Sequence, residues 1–340
     1  MTKSLFILGT GFIGGSVLSA LIEKGQYEIA ALCRSDDKAK KLEELGVRPV
    51  RGELSSDDVI SREAEQADVV LHIATADDLP SVKSILKGLE KRDPSKPRAV
   101  YIHTSGTGVL TVPTHPDDVC FNDKDQAQFD TLIPEHAPHR EVDLEIKKAV
   151  EEKRVHAKVA IMMPPCIYGL GTGPFNRRSI QIPLWAKEAV KNGHVINQCV
   201  PSISLRLHNA VLNHSLRFFS GPQNFWCNIH IRNLVGAYET LLAHLEETDS
   251  TAGPLYIIAE TGSHRWGPLG VLLDKLLKER GLVGGEMTEE KEGSTETETG
   301  TQSRSKSEWL HEWGWKVKEA PSIEESMPEE IDHMKEIGEL

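Results

Sequence analysis

The chain has little that would tie it to a disulfide scaffold, a metal, a nucleic acid or a bilayer. Its five cysteines (33, 120, 166, 199 and 227) are scattered, odd in number and without C-x-x-C spacing, so neither a disulfide framework nor a zinc site is written into them. No metal is expected, and reduced thiols fit a cytoplasmic location. Basic charge is also short, with 39 Lys and Arg against 51 Asp and Glu for a formal net charge of −12. That balance argues against nucleic acid or an anionic membrane surface as partner, since both need a basic face. The charge-free run Ser4 to Ile22 follows Lys3 as a signal or membrane segment would. Glycines at 9, 11, 14 and 15 interrupt it in the middle, and no small-residue cleavage site follows, so it reads as core. What is present is apolar substance: 39% hydrophobic residues over 340 positions can bury a sizeable core in one large or two modest domains.

That core opens on Leu5-Phe6-Ile7-Leu8, which has the length of a buried strand, followed by Gly9-Thr10-Gly11-Phe12-Ile13-Gly14 and a helix-like stretch over 16–23. The G-x-G-x-x-G spacing in a strand–turn–helix context is a dinucleotide-binding signature: Gly9 turns the chain, Gly11 clears the backbone for a pyrophosphate, and Gly14 lets helix and strand pack. The pyrophosphate then rests on the helix N-terminus. A second strand, Tyr27 to Cys33, ends on Arg34-Ser35 where a carboxylate would select NAD. A guanidinium and a hydroxyl suit a 2′-phosphate, so NADP is expected rather than NAD. Helices over 37–45, 57–66 and 79–92 alternate with strands over 47–54, 67–74 and 99–103, and Glu53 either approaches an adenine edge or caps its strand. Such alternation predicts an α/β fold with a Rossmann-type doubly wound parallel sheet.

Several motifs resemble the short-chain dehydrogenase/reductases of the extended or atypical kind, the NAD-dependent epimerase/dehydratase group with its NmrA-like relatives. They are Gly9 to Gly14, Asp68-Val69-Val70, Ile102-His103-Thr104-Ser105-Gly106-Thr107, Pro164-Pro165-Cys166-Ile167-Tyr168-Gly169 and Trp226-Cys227-Asn228-Ile229-His230-Ile231. The resemblance implies a nicotinamide cofactor on a Rossmann domain over 1–165, with Ala74, Thr104, Pro165 and Ile167 along it. It also implies a smaller C-terminal substrate domain over 166–340, parts of which return to the sheet. A small-molecule substrate is expected, with a homodimer as an open alternative to a monomer. Two departures stand out. The glycine turn is one residue shorter than the extended branch's usual G-x-x-G-x-x-G, and the family's Tyr-x-x-x-Lys pair is missing: the five tyrosines are followed four residues on by Ala31, Ser105, Thr172, Leu242 and Glu260. His139 and Asp143 stand in its place, with Val142, Ile146 and Val150 along one helix face. Thr104, Ser105 and Thr107 are then the candidates to meet a substrate oxygen and His139 the local acid, its ring held by Asp143 one turn on. Tyr168 is the next candidate.

Beyond a strand over 155–163, Gly169, Gly171 and Gly173 form a loop that is either a lid or plain surface, before a helix over 183–191. The resemblance lapses over 199–220, which reads as an insertion whose histidines lack a ligand cluster. Helices over 231–245 and 266–280 enclose a strand over 255–259. A flexible acidic connection spans 284–307, and a segment with Trp309, Trp313 and Trp315 leads to an acidic tail from Glu319. Two functions fit: an NADP-dependent oxidoreductase-like enzyme on a small carbonyl or hydroxyl compound, or a non-catalytic regulator that senses NADP(H). The missing pair favours the second and an intact substrate domain the first.

Overall fold

Every position of the first apolar run is used. Leu5 and Ile7 enter one core and Phe6 and Leu8 another on the opposite face, which requires a strand inside a sheet covered on both sides. The computed structural model describes residues 2–110, 119–196, 225–248, 253–288 and 302–340. Along them run β1 (Lys3–Leu8), α1 (Phe12–Lys24), β2 (Tyr27–Cys33), α2 (Asp36–Glu44), β3 (Arg48–Arg51), α3 (Asp57–Gln66), β4 (Val69–His72), α4 (Leu79–Lys91) and β5 (Ala99–Thr104). A 3-10 turn (Thr107–Leu110), β6 (Phe121–Asn122), α5 (Gln128–Thr131), α6 (Arg140–Glu151), β7 (Ala157–Met163), β8 (Cys166–Tyr168), α7 (Gln181–Asn192) and β9 (Phe225–His230) follow. The remaining elements are α8 (Ile231–Glu247), β10 (Tyr256–Ile258), β11 (Gly262–Arg265), α9 (Trp266–Glu279), β12 (Ser305–Lys306), α10 (Trp309–Glu312) and α11 (Ile323–Glu336).

Seven strands form one parallel sheet of order β10-β7-β5-β4-β1-β2-β3. The α1, α2 and α8 side chains cover one face and those of α3, α4 and α6 the other, so the sheet is the doubly wound Rossmann type expected. At its amino-terminal edge Asp68 is structural: Ser4 donates to it through backbone and hydroxyl, and the buried Arg92 donates at 2.9 Å. Burial opposes its charge, but these donors outweigh that and hold the carboxyl below the usual carboxylate range.

The second layer is a small sheet of order β11-β9-β8, packed with α7, α9 and α11 around Cys166, Trp226, Trp266 and Met327. The acidic tail expected from Glu319 is in fact the α11 helix. Ser322 and Glu325 form a capping box at its start, and Ile323, Met327, Ile331 and Met334 are buried along one face. Its many acids hid that stripe. The expected flexible connection over 284–307 is corrected at its carboxyl end: Ser303 exchanges backbone hydrogen bonds with the β9 flank, and Ser303, Ser305 and Ser307 are buried. The insertion expected over 199–220 lies outside the described residues. None of the described helices is long and apolar enough to cross a membrane.

Candidate functional site

Gly11 caps α1 with the Gly15 amide bonded to its carbonyl at 2.8 Å, so the helix starts at Phe12, a turn earlier than its apolar pattern suggests. Gly9 has φ +97°, and a side chain there would meet Ala74 backbone at 2.4 Å. A Cβ on Gly14 would sit 1.9 Å from the Gly9 oxygen, whereas one on Gly11 would have no protein atom within 4 Å. Two glycines therefore serve packing, and the third leaves bare backbone facing open space at a helix N-terminus. This cradle fits a pyrophosphate. Thr10 is buried, Ile13 is half-buried, and Ala74 is exposed beside the turn.

At the end of β2, Arg34 and Ser35 are exposed, and the Ser35 hydroxyl caps α2 by accepting from the Lys38 amide at 3.4 Å. Across the ladder Arg51 pairs in register with Cys33 and makes an ion pair with Asp36 at 2.8 Å. Arg51 is a neighbour that sequence reasoning missed. Glu53 is exposed, and its amide donates to the Ser56 hydroxyl.

The loop over 169–180, expected as a lid or plain surface, is docked on α1. Side chains on Gly171 and Gly173 would collide with Ser16 at 2.8 Å and Gly15 at 2.7 Å, and the Thr172 amide donates to the Ser16 hydroxyl at 3.2 Å. Pro165 is buried and Ile167 half-buried on β8. Tyr168 turns into the second layer, where its hydroxyl donates to the Pro321 carbonyl at 3.2 Å and burial pushes its pKa up to about 12. His230, whose motif matched the family, is a helix cap accepting from the Arg232 amide at 3.1 Å, and burial pushes it down to about 4.

At the carboxyl edge of β5 the structure sorts the three hydroxyls. Thr104 faces α8 and shares a 2.5 Å hydrogen bond with the Tyr238 hydroxyl. Thr107 accepts from Ser303 at 3.2 Å. Ser105 donates to Asp143 Oδ2 at 3.0 Å. The expected pairing of His139 with Asp143 does not form. His139 takes a left-handed backbone, φ 66°, just before α6, so it is not one helical turn from Asp143 on a shared face. Its Nδ1 instead meets Asp77 Oδ1 of the β4–α4 loop at 2.6 Å, and its ring lies over Gly106 and Gly108, where added Cβ atoms would sit 3.5 and 3.0 Å from Nε2. Asp77 was missed. Its signal is placement just past the carboxyl end of a central strand, where ligands of open α/β sheets bind.

Asp143 is fully buried. Burial pushes its carboxyl up to about 7, against the charges of His139 and Arg140 and the Ser105 hydrogen bond, while Asp77 adds to the rise. His72 and His103 face each other at 3.0 Å between β4 and β5, and burial keeps both neutral, His72 down to about 4. Among the described residues no cluster of metal-ligating side chains occurs.

These features define a Rossmann-type parallel-sheet fold with a glycine cradle at the amino end of its first helix. Residues 9–124 match the model of the NAD(P)H-binding family, and the fold is similar to those of solved epimerases and reductases. Among curated proteins the chain is 28% identical over 308 residues to the oxidase ucsJ of Acremonium sp., covering 84% of this chain and 82% of that protein. Among solved structures it resembles a UDP-glucose 4-epimerase with UDP-glucose from Thermotoga maritima (TM-score 0.65, 14% identity, 98% of this chain and 99% of that one). It also resembles the yeast methylglyoxal/isovaleraldehyde reductase Gre2 with NADPH (TM-score 0.58, 18% identity, 98% and 99%).

Proposed function

We propose that this protein is an NADP(H)-dependent oxidoreductase acting on a small carbonyl or hydroxyl compound. The observation that carries the reading is the Asp77–His139 pair at 2.6 Å set over Gly106 and Gly108, one residue from the Ser105 hydroxyl. Bound nicotinamide supplies or accepts the hydride. Ser105 holds the substrate oxygen, and His139, oriented by Asp77, moves the proton to or from that oxygen. Asp143 in the family's lysine position offers the cofactor ribose no cation, so the proton path differs from a tyrosine–lysine relay. NADP over NAD rests on Arg34, exposed at the end of β2, with Arg51 beside it to share a 2′-phosphate. Gre2, similar in fold, is described with NADPH and serves as the precedent for that cofactor on this architecture.

The second reading is a non-catalytic NADP(H) sensor, favoured by the absence of the Tyr-x-x-x-Lys pair. One experiment separates them: calorimetric titration with NADPH and NADH, followed by absorbance assays against a panel of carbonyl compounds. Tighter NADPH binding with turnover that His139→Ala abolishes supports the enzyme. Tight NADPH binding with no turnover on any compound favours the sensor, and equal affinities for the two cofactors refute the role of Arg34.

A further inference from the structure

Asp143 is an unusual occupant of its place. It projects from α6 onto the sheet with no solvent contact, its Oδ1 has no hydrogen-bond partner, and Oδ2 meets the Ser105 hydroxyl at 3.0 Å. The charged and titratable groups around it are His139 just before its helix, Arg140 on that helix, Asp77 from the β4–α4 loop, Tyr101 from β5 and Tyr256 from β10. Neither the His139 ring nor the Arg140 guanidinium bonds to it. Arg140 directs Nη1 to the Tyr256 hydroxyl at 2.9 Å and Nη2 to Asp130 at 3.2 Å, its buried Nε bonds to nothing among the described residues, and the His139 Nδ1 meets Asp77. A buried carboxylate with one hydroxyl donor and no bonded cation is costly, so the neutral acid is the form this environment favours.

A hydroxyl has one hydrogen, and its direction is settled by the stronger neighbour. We propose that Asp143 is a positioning residue that sets the hydrogen-bond polarity of Ser105. As a neutral acid it donates to the serine oxygen and frees the serine O–H for a substrate carbonyl. As a carboxylate it takes that O–H, leaving the serine lone pairs to accept from a substrate hydroxyl. The site then favours carbonyl reduction on the acid side of the Asp143 titration and alcohol oxidation on the alkaline side. No bond is made or broken at Asp143 beyond its own ionisation. This rests on the reading above that Ser105 meets the substrate oxygen.

The test begins on the protein without cofactor. Infrared spectra of wild type minus Asp143→Asn should show a protonated-carboxyl C=O band at about pH 5 that is lost by about pH 9. Glu330→Gln identifies the band of the other strongly raised carboxyl. Ser105→Ala should move the midpoint of the loss to higher pH, because the carboxylate loses its hydrogen-bond donor. A missing band at the acid end, or an unmoved midpoint in Ser105→Ala, overturns the proposal whether or not a substrate is known. With a turned-over carbonyl compound, wild-type reduction should fall about tenfold per pH unit above the midpoint. Asp143→Asn, whose amide donates to Ser105 at every pH, should keep the acid-side rate throughout, and a wild-type inflection surviving in that variant also refutes the idea. Failure of every compound removes the enzyme reading alone, since the infrared result still decides the coupling of Asp143 to Ser105.

Discussion

His139 shows how one backbone angle redirects chemistry. With φ 66° it stands outside the helix that Asp143 belongs to, so two residues four apart in sequence serve different partners, Asp77 and Ser105. Replacing Asp77 with Asn should leave the fold intact and lower kcat/KM for a carbonyl substrate by about tenfold to a hundredfold, because the ring loses the carboxylate that fixes its tautomer. Steady-state kinetics alongside thermal melting checks this. Thr104→Val should do the reverse. It leaves the Tyr238 hydroxyl buried without its 2.5 Å partner, a cost of about 1–3 kcal/mol seen as a lower melting temperature, while kcat is nearly unchanged. Arg51→Gln should weaken NADPH binding about tenfold and NADH binding little, since only the former carries a 2′-phosphate for a guanidinium to meet. Equal losses for both cofactors would show that Arg51 serves only its ion pair with Asp36.

Element by element, α1 separates glycine's two uses. A methyl on Gly14 would sit 1.9 Å from the Gly9 oxygen, so Gly14→Ala should destabilise the chain by at least about 3 kcal/mol as the helix is forced off the sheet. A methyl on Gly11 meets no protein atom within 4 Å, so Gly11→Ala should melt like wild type and still lose cofactor affinity by calorimetry. On α11, Glu330 is buried beneath the docked loop, accepting from the Gly169 amide at 2.6 Å and from Ser179. Burial raises its carboxyl from 4.5 to about 7, against those two donors. A group whose folded pKa lies above its unfolded one contributes stability that is complete below about pH 4.5 and is lost as pH rises through about 7. Glu330→Gln removes that loss, worth roughly 3 kcal/mol, so the variant's melting temperature relative to wild type should rise between about pH 5 and pH 8. A constant difference across that range would mean the carboxyl titrates normally.

At the scale of the molecule, the carboxyl-terminal segment belongs to the core. Ile323, Met327, Ile331 and Met334 are all buried against the second layer, each worth about 1.5–3 kcal/mol. A chain ending at residue 320 should therefore bind a hydrophobic dye and aggregate, even with its glycine cradle intact. The sequence by itself determined the parallel sheet, the cradle at Gly9 to Gly14 and the basic end of β2. Those features are local: a strand buried on both faces reads as an unbroken apolar run, and a tight turn into a helix needs glycines at fixed spacing. It also determined that no tyrosine–lysine pair exists. Less was legible in the second layer, because β8, β9 and β11 have three, six and four residues and gain their edges from one another and from the distant Ser303. The acids of α11 masked its apolar stripe for the same reason, that its partners lie far along the chain. Only the tertiary structure brought the candidate site residues together. Asp77 lies 62 positions from His139 and Asp143 lies 38 from Ser105, and such pairs come together because parallel strands deliver their carboxyl ends to one edge of the sheet, a neighbourhood that no spacing along the chain encodes.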